Sequence, residues 1–201
     1  RIAPNGSLEL LRSLPGTADE LEKGSYTSAN VHLEKTFKGT PKRRLSWDLD
    51  FAGYRQEEGR NFTSRGFTPQ GALIPGSDFR FNSTTNQRTD SYITSLDYTE
   101  PLGKGTLSFG AKGTWTRTRN TNDYDALSTI GERHDKILFD EHVYALYADL
   151  SQPLSAKWSL RSGLRMEYTH TAGENNGRRL ENLRSYLNIF PTLFIGYNPN
   201  E

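Results

Sequence analysis

Residues 45–52 read Leu-Ser-Trp-Asp-Leu-Asp-Phe-Ala. In an extended chain Leu45, Trp47, Leu49 and Phe51 fall on one side, while Ser46, Asp48, Asp50 and Ala52 fall on the other. The stretch therefore specifies a strand with one apolar face and one charged face. Working outward, the same period recurs six more times. In 26–37, Ala29, Val31, Leu33 and Phe37 share a side. In 91–99, Tyr92, Thr94, Leu96 and Tyr98 oppose Ser95 and Asp97. In 106–117, Leu107, Phe109, Ala111, Gly113 and Trp115 oppose Ser108, Gly110, Lys112, Thr114 and Thr116. Runs at 140–151, 158–170 and 186–197 continue the series, so seven strands are expected with 44–55 as the second. The last run contains Pro191, which lacks a ladder donor and favours a bulge or an unpaired position.

The connections between these runs alternate in length. Short turns rich in Gly or Pro occupy 38–42, 101–105 and 152–157, whereas long polar connections occupy 56–90, 119–138 and 172–184. Tight turns at one end and long loops at the other are the plan of an outer-membrane barrel. Each run holds about ten residues, enough for a tilted strand to cross a bilayer. On the sixth run, Trp158 and Tyr168 sit on the apolar side, separated by roughly 25 Å along the membrane normal at about 40° tilt, the spacing of two aromatic girdles. The expected architecture is all-β, an antiparallel up-and-down meander of about seven strands forming a segment of a large transmembrane barrel. Residues 1–24 carry no assignment, and 25–201 form the partial barrel domain.

Composition agrees with a sheet that lacks a large private core. Of 201 residues only 33% are hydrophobic, yet 11% are aromatic and 18 are Gly; soluble domains run at roughly 45–50% apolar. Twenty-five Lys and Arg against 24 Asp and Glu leave a charge of +1, which gives no field for nucleic acid. The absence of Cys excludes a disulfide framework and thiolate metal sites. No run of about eighteen apolar residues offers a transmembrane helix. No charged-then-apolar leader follows Arg1, so the sequence is expected to be a piece of a longer chain.

Three groups of residues are candidates for function. The polar strand faces carry Asp48, Asp50, Asp97, Lys112, Glu141, Asp149, Arg161, Arg165 and Glu167, a lumen-facing charged ladder whose members can pair across strands. Residues Arg60, Phe62, Arg65, Phe67, Phe79, Arg80 and Phe81 in the longest connection are the expected extracellular ligand contacts, because binding residues concentrate in loops. The lipid face or its girdles should contain Trp47, Leu49, Leu96, Tyr98, Phe109, Trp115, Trp158, Leu164 and Tyr168. Lys42, Arg43 and Arg44 form a compact basic run suited to a cationic anchor at headgroup level.

Other motifs fail on spacing. Glu132, His134 and Asp135 with Asp140, Glu141 and His142 resemble metal ligands, but alternation sends Glu141 and His142 to opposite faces. Gly103-Lys104-Gly105-Thr106 does not satisfy the phosphate-loop pattern and reads as a hairpin turn. Asn61 and Asn82 begin chance glycosylation sequons. With His32, His134, His142 and His170 scattered, no Ser-His-Asp arrangement is marked. Neither a catalytic site, a metal nor a cofactor is expected.

From about residue 30 to 199 the chain resembles the outer-membrane β-barrel domains of TonB-dependent receptor-like proteins of Gram-negative bacteria. The phrases that carry the likeness are LDYTEPL, FGAKGTWTRT, FDEHVYALYADL, GLRMEYT and NIFPTLFIGY, in that order. The resemblance implies an outer-membrane location, a bulky nutrient ligand of the siderophore or oligosaccharide class, and energy supplied by an inner-membrane partner through a plug domain. Such barrels have about 22 strands, so the remaining strands and the plug are expected outside this sequence. The rival architecture is a secreted or surface β-sandwich that binds carbohydrate or mediates adhesion. It would bury Trp47, Leu49, Leu96, Phe109 and Leu164 between two sheets rather than turn them outward.

Overall fold

A computed structural model describes residues 13–126, 131–180 and 184–199. The strands are β1 (Gly16–Phe37), β2 (Thr40–Ser64), β3 (Phe79–Leu102), β4 (Gly105–Ala126), β5 (Arg133–Pro153), β6 (Trp158–Asn175), β7 (Arg178–Arg179) and β8 (Ser185–Tyr197). They form one sheet in which β1 to β6 follow chain order and β8 joins β6. The three tight turns fall where the sequence places them. β1 and β2 are joined through Lys38 and Gly39, which has φ 80°. Between β3 and β4, Gly103 takes φ 61°, the left-handed value that the first central position of a type II′ hairpin requires. Between β5 and β6, the Leu154 and Ser155 amides donate to the Trp158 carbonyl at 2.8 and 3.1 Å.

No second sheet covers this one among the described residues. Among the described residues the only buried apolar side chain is Ala145, and Trp47, Leu49, Leu96, Phe109 and Leu164 are 40%, 40%, 49%, 47% and 49% exposed. The sandwich expectation fails on this point, since those five side chains would have to be enclosed.

Strand length departs from expectation. Alternation predicts runs of about ten to thirteen residues, but β1 to β6 span 18 to 25. Part of the unassigned leading segment is strand from Gly16 onward; residues 1–12 lie outside the described residues. The connection read as 56–90 contains the end of β2 and the start of β3, leaving 65–78 between them. The connection read as 119–138 holds the end of β4 and the start of β5, with 127–130 outside the described residues. In these extensions polar residues occupy both phases, so hydropathy carries no period, while backbone ladders and cross-strand side-chain pairs still hold the chain extended. Thr17 and Thr63 hydroxyls meet at 3.0 Å, and Gln56 donates to Glu22 at 2.7 Å.

The eighth strand is a further difference. Asn176 and Gly177, with φ 50° and 76°, turn the chain so that Arg178 and Arg179 pair back onto Asn175 and Glu174. An Asn-Gly pair is the strongest short hairpin signal, and it lies inside the segment read as loop 172–184, of which 181–183 are outside the described residues. Pro191 causes no bulge. The pairing of β6 with β8 runs from Trp158 opposite Tyr197 to His170 opposite Ser185 without a slip, and Leu164 faces Pro191. Among the described strands β8 pairs with β6.

By its contacts the chain divides into two units. One, Tyr26–Tyr54, Thr89–Thr118 and Leu138–Glu201, contains the tight turns. The other, Arg1–Ser25, Arg55–Arg88 and Arg119–Ile137, contains the two longest connections.

Candidate functional site

In the turn-bearing unit the two strand phases build two different surfaces. On the apolar phase, aromatic rings pair across strands in two bands. Near the tight turns, Tyr98 meets Phe109 at 5.2 Å and Phe37 at 6.5 Å, and Trp158 meets Tyr197 at 4.6 Å. Toward the other strand ends, Phe51 meets Tyr92 at 5.1 Å and Trp115 meets Tyr144 at 5.9 Å. Trp47, Leu96, Trp115 and Tyr168 line one shallow apolar cleft of about 750 Å³. Leu49 and Leu164 share that alternation phase. Two indole N–H groups donate to hydroxyls, Trp47 to Thr94 at 2.8 Å and Trp115 to Tyr144 at 3.1 Å.

The polar phase is a network. Tyr147 of β5 reaches over β4 and donates to Asp97 of β3 at 2.6 Å. It can do so because Gly110 stands between them: a Cβ there would lie 2.5 Å from the Asp97 carboxylate and 2.8 Å from the Tyr147 ring. The Arg165 guanidinium sits 5.3 Å from the centre of that ring and donates to Glu167 at 2.5 Å. A Cβ at Gly163 would likewise lie 2.6 Å from Asp149. Asp48 and Asp50 bond instead to β1, to His32 and Asn30, both at 2.6 Å.

The structure thus brings Asp97, Arg165 and Glu167 together and ties Asp48 and Asp50 elsewhere. Lys112, Glu141 and Arg161 form no ion pair among the described residues. Tyr147 was not among the sequence candidates, although the glycine opposite it, in Phe-Gly-Ala-Lys-Gly, was a legible signal. Arg43 of the basic run pairs with Glu100, which also accepts from Tyr98 at 2.5 Å.

In the loop-bearing unit, Phe62 and Phe79 stack edge to face at 6.0 Å, and Phe81 meets Tyr124 at 6.0 Å. Gly16 lets Phe62 lie flat on β1, since a Cβ there would meet the ring at 2.7 Å. Arg60, in the same phase as Phe62, donates to Glu20 at 3.0 Å. That bond and the positive charge hold the Glu20 carboxyl below its ordinary range and raise Arg60. Arg65 pairs with Asp78 at 2.8 Å, and Phe67 forms backbone bridges to Ser13 and Leu73. Arg80 departs from the expected group. It alternates with Phe79 and Phe81, so its side chain leaves the opposite side of β3 from the paired rings. Carboxylates read as possible metal ligands are engaged otherwise, Asp135 with Arg133 at 2.8 Å in this unit and Asp140 with Arg117 at 2.7 Å in the turn-bearing unit.

A family model described as the outer membrane protein beta-barrel family matches residues 35–201. The chain belongs to that family. As a member of it, the protein is a Gram-negative outer-membrane chain, and its meander is barrel wall. No curated protein matches the sequence. Among solved structures, this barrel chain is similar to the ferric yersiniabactin uptake receptor FyuA from Yersinia pestis, at 12% identity and TM-score 0.45, over 94% of this chain and 35% of that one. It is also similar to the ferric citrate transporter FecA in its unliganded form, at 14% identity and TM-score 0.45, over 80% and 26%. A third is the alcaligin outer-membrane receptor FauA from Bordetella pertussis, at 12% identity and TM-score 0.38, over 95% and 41%. The barrel chain therefore spans between about a quarter and two fifths of the length of these receptors.

Proposed function

We propose that this stretch of barrel wall belongs to a receptor that takes up a bulky nutrient, of the siderophore or oligosaccharide class, across the outer membrane. In this reading the apolar phase faces lipid with its two aromatic bands at the interfaces, and the charged phase faces the lumen. The remaining strands, a plug domain and an energy-coupling inner-membrane partner complete the machine. The observation that carries the reading is the aromatic and charged array of the loop-bearing unit, where Phe62, Phe79, Phe81 and Tyr124 pair in the same phase as Arg60 and Glu20. Aromatic faces bind sugar rings or catecholate-like planes, and the ion pair adds orientation. The Asp97–Tyr147–Arg165–Glu167 network fixes strand register and keeps the lumen wettable.

The test is growth of a strain lacking the gene on individual ferric siderophores as sole iron source and individual oligosaccharides as sole carbon source. Loss on one of them, restored by the full-length gene, is expected. Phe62→Ala together with Phe79→Ala should raise the required concentration roughly tenfold, at unchanged amounts of protein in the membrane. Equal growth of the deletion strain on every compound overturns the proposal.

A further inference from the structure

The four histidines lie far apart in the sequence, but two of them meet in the turn-bearing unit. The imidazoles of His142 on β5 and His170 on β6 have their centres 6.1 Å apart, with planes inclined by 52°. Register accounts for the meeting. The Leu154 amide donates to the Trp158 carbonyl at the turn between β5 and β6, and counting back from that pair without a slip sets 142 opposite 170. Directly opposed residues of antiparallel strands have Cβ atoms about 4.5–5.5 Å apart, so both rings leave the same side of the sheet. They stand in the phase of Tyr144, Leu164 and Tyr168, opposite to that of Glu141, Tyr147 and Glu167.

The nitrogens are disposed for a shared cation. β8 continues the row, since Ser185 stands opposite His170 and its hydroxyl lies 2.8 Å from His170 Nδ1. In the tautomer whose Nδ1–H donates to that hydroxyl, the lone pair is on Nε2. The ring is then oriented by an outer partner, as metal-bound imidazoles are. No hydrogen bond or ion pair engages the ring of His142 among the described residues. A cleft of about 300 Å³, bounded by Tyr92, Trp115, Arg117 and Asp140, opens onto it. In this cleft Asp140 is closed to a metal, because its two oxygens accept from Arg117 at 2.7 and 3.0 Å. The same pairing cancels the arginine charge, which would otherwise repel a cation. Distance also fits. At a metal–nitrogen bond of about 2.0–2.1 Å, two imidazoles on one ion have centres about 5.2 Å apart at the tetrahedral angle and about 6.4 Å apart in line. The observed 6.1 Å is between these limits.

We propose that His142 and His170 hold one divalent transition-metal ion, copper(II) ahead of nickel(II) and zinc(II), with Ser185 as a positioning residue. Imidazole nitrogen selects these metals over magnesium and calcium, and copper binds such sites most tightly. No third His, Asp or Glu completes a set with the pair among the described residues, so water fills the remaining positions and the ion is exchangeable. The site stands in the apolar strand phase rather than the charged one, and it holds whether or not the chain takes up a nutrient.

The experiment titrates the untagged full-length protein in detergent micelles with copper(II) alone, read by equilibrium dialysis and electron paramagnetic resonance. One equivalent is expected to bind with superhyperfine splitting from two nitrogens and to survive an excess of magnesium. His142→Asn/His170→Asn should lose that equivalent, and each single substitution should remove the two-nitrogen pattern. Ser185→Ala should keep the pattern at an affinity lower by about 10–100-fold, the usual cost of losing an outer partner, and Ser185→Thr, which retains a hydroxyl, should recover it. Because other histidines of the full-length protein can take copper, the difference between wild type and the double variant carries the result. Heat-modifiable gel migration checks that each variant is folded. Equal copper uptake and spectra in wild type and the folded double variant, a wild-type spectrum without two-nitrogen splitting, or displacement by magnesium at equal concentration overturns the proposal.

Discussion

The two units use one backbone plan with two kinds of sequence. In the turn-bearing unit β2 alternates strictly, with Trp47, Leu49 and Phe51 against Asp48 and Asp50. In the loop-bearing unit the same β2 continues as Arg55, Gln56, Glu57 and Glu58, polar in both phases. The hydrogen-bonded ladder does not require alternation; a medium that differs between the two faces does. Where both phases are polar, strands persist through cross-strand pairs such as Thr17 with Thr63 and Glu20 with Arg60.

The comparison can be broken most severely at the apolar phase. Leu49→Arg, Leu96→Arg or Leu164→Arg should each cost about 2–4 kcal/mol and impair assembly of the full-length protein, as placing Arg at a barrel midplane does. Ser95→Arg in the opposite phase, or Asn61→Arg in the loop-bearing unit, should leave assembly in outer-membrane fractions close to wild type. Equal losses at all five positions would show that the phases do not differ in environment.

Glycines sharpen the contrast at smaller scale. Gly110→Ala would drive a methyl group against Asp97 and Tyr147, so a loss of about 1–3 kcal/mol in urea unfolding from detergent is expected. Gly59→Ala has nothing within 4 Å of the new carbon and should be neutral or stabilising by up to about 1 kcal/mol through the unfolded chain. The smallest effect concerns pH. Because Arg60 lowers the Glu20 carboxyl from its ordinary 4.5, the contribution of the pair is fully present above that value. It is lost as pH falls below 4.5 through the lowered folded value. Both groups are exposed, so melts of wild type and Glu20→Gln should coincide below that range and differ only slightly above it.

The legibility of the sequence follows the same division. The seven runs and the three tight turns could be read because Leu-Ser-Trp-Asp-Leu-Asp-Phe and its counterparts encode both period and phase. The strand extensions could not, since 16–24, 56–64 and 79–90 have no apolar period to detect. In the candidate site, Phe62, Phe79 and Phe81 were legible as aromatics in a polar connection, but their grouping with Tyr124 and the exclusion of Arg80 depend on register over 40 residues of sequence. Tyr147 was hidden for a related reason: its partner Asp97 is two strands away, and a period-two reading sees only one strand at a time.

The unbroken register of β6 with β8 has a consequence for slippage. Most strands here would betray a one-residue slip at once by moving aspartates or arginines into the apolar phase. β8 would not, because Ile189, Phe190, Leu193, Phe194 and Ile195 make both of its faces apolar. Its frame is keyed by small residues instead. Gly163 lies opposite Thr192 and Gly196 opposite Ser159, each glycine hollow filled by a hydroxyl, with 2.7 and 2.5 Å between the oxygen and the place where a Cβ would stand. Moved by one residue, β8 would set Leu193 or Pro191 against Gly163 and take both hydroxyls out of their hollows. A strand that hydropathy leaves free to slide is thus indexed by two notches, each no larger than a missing methyl group.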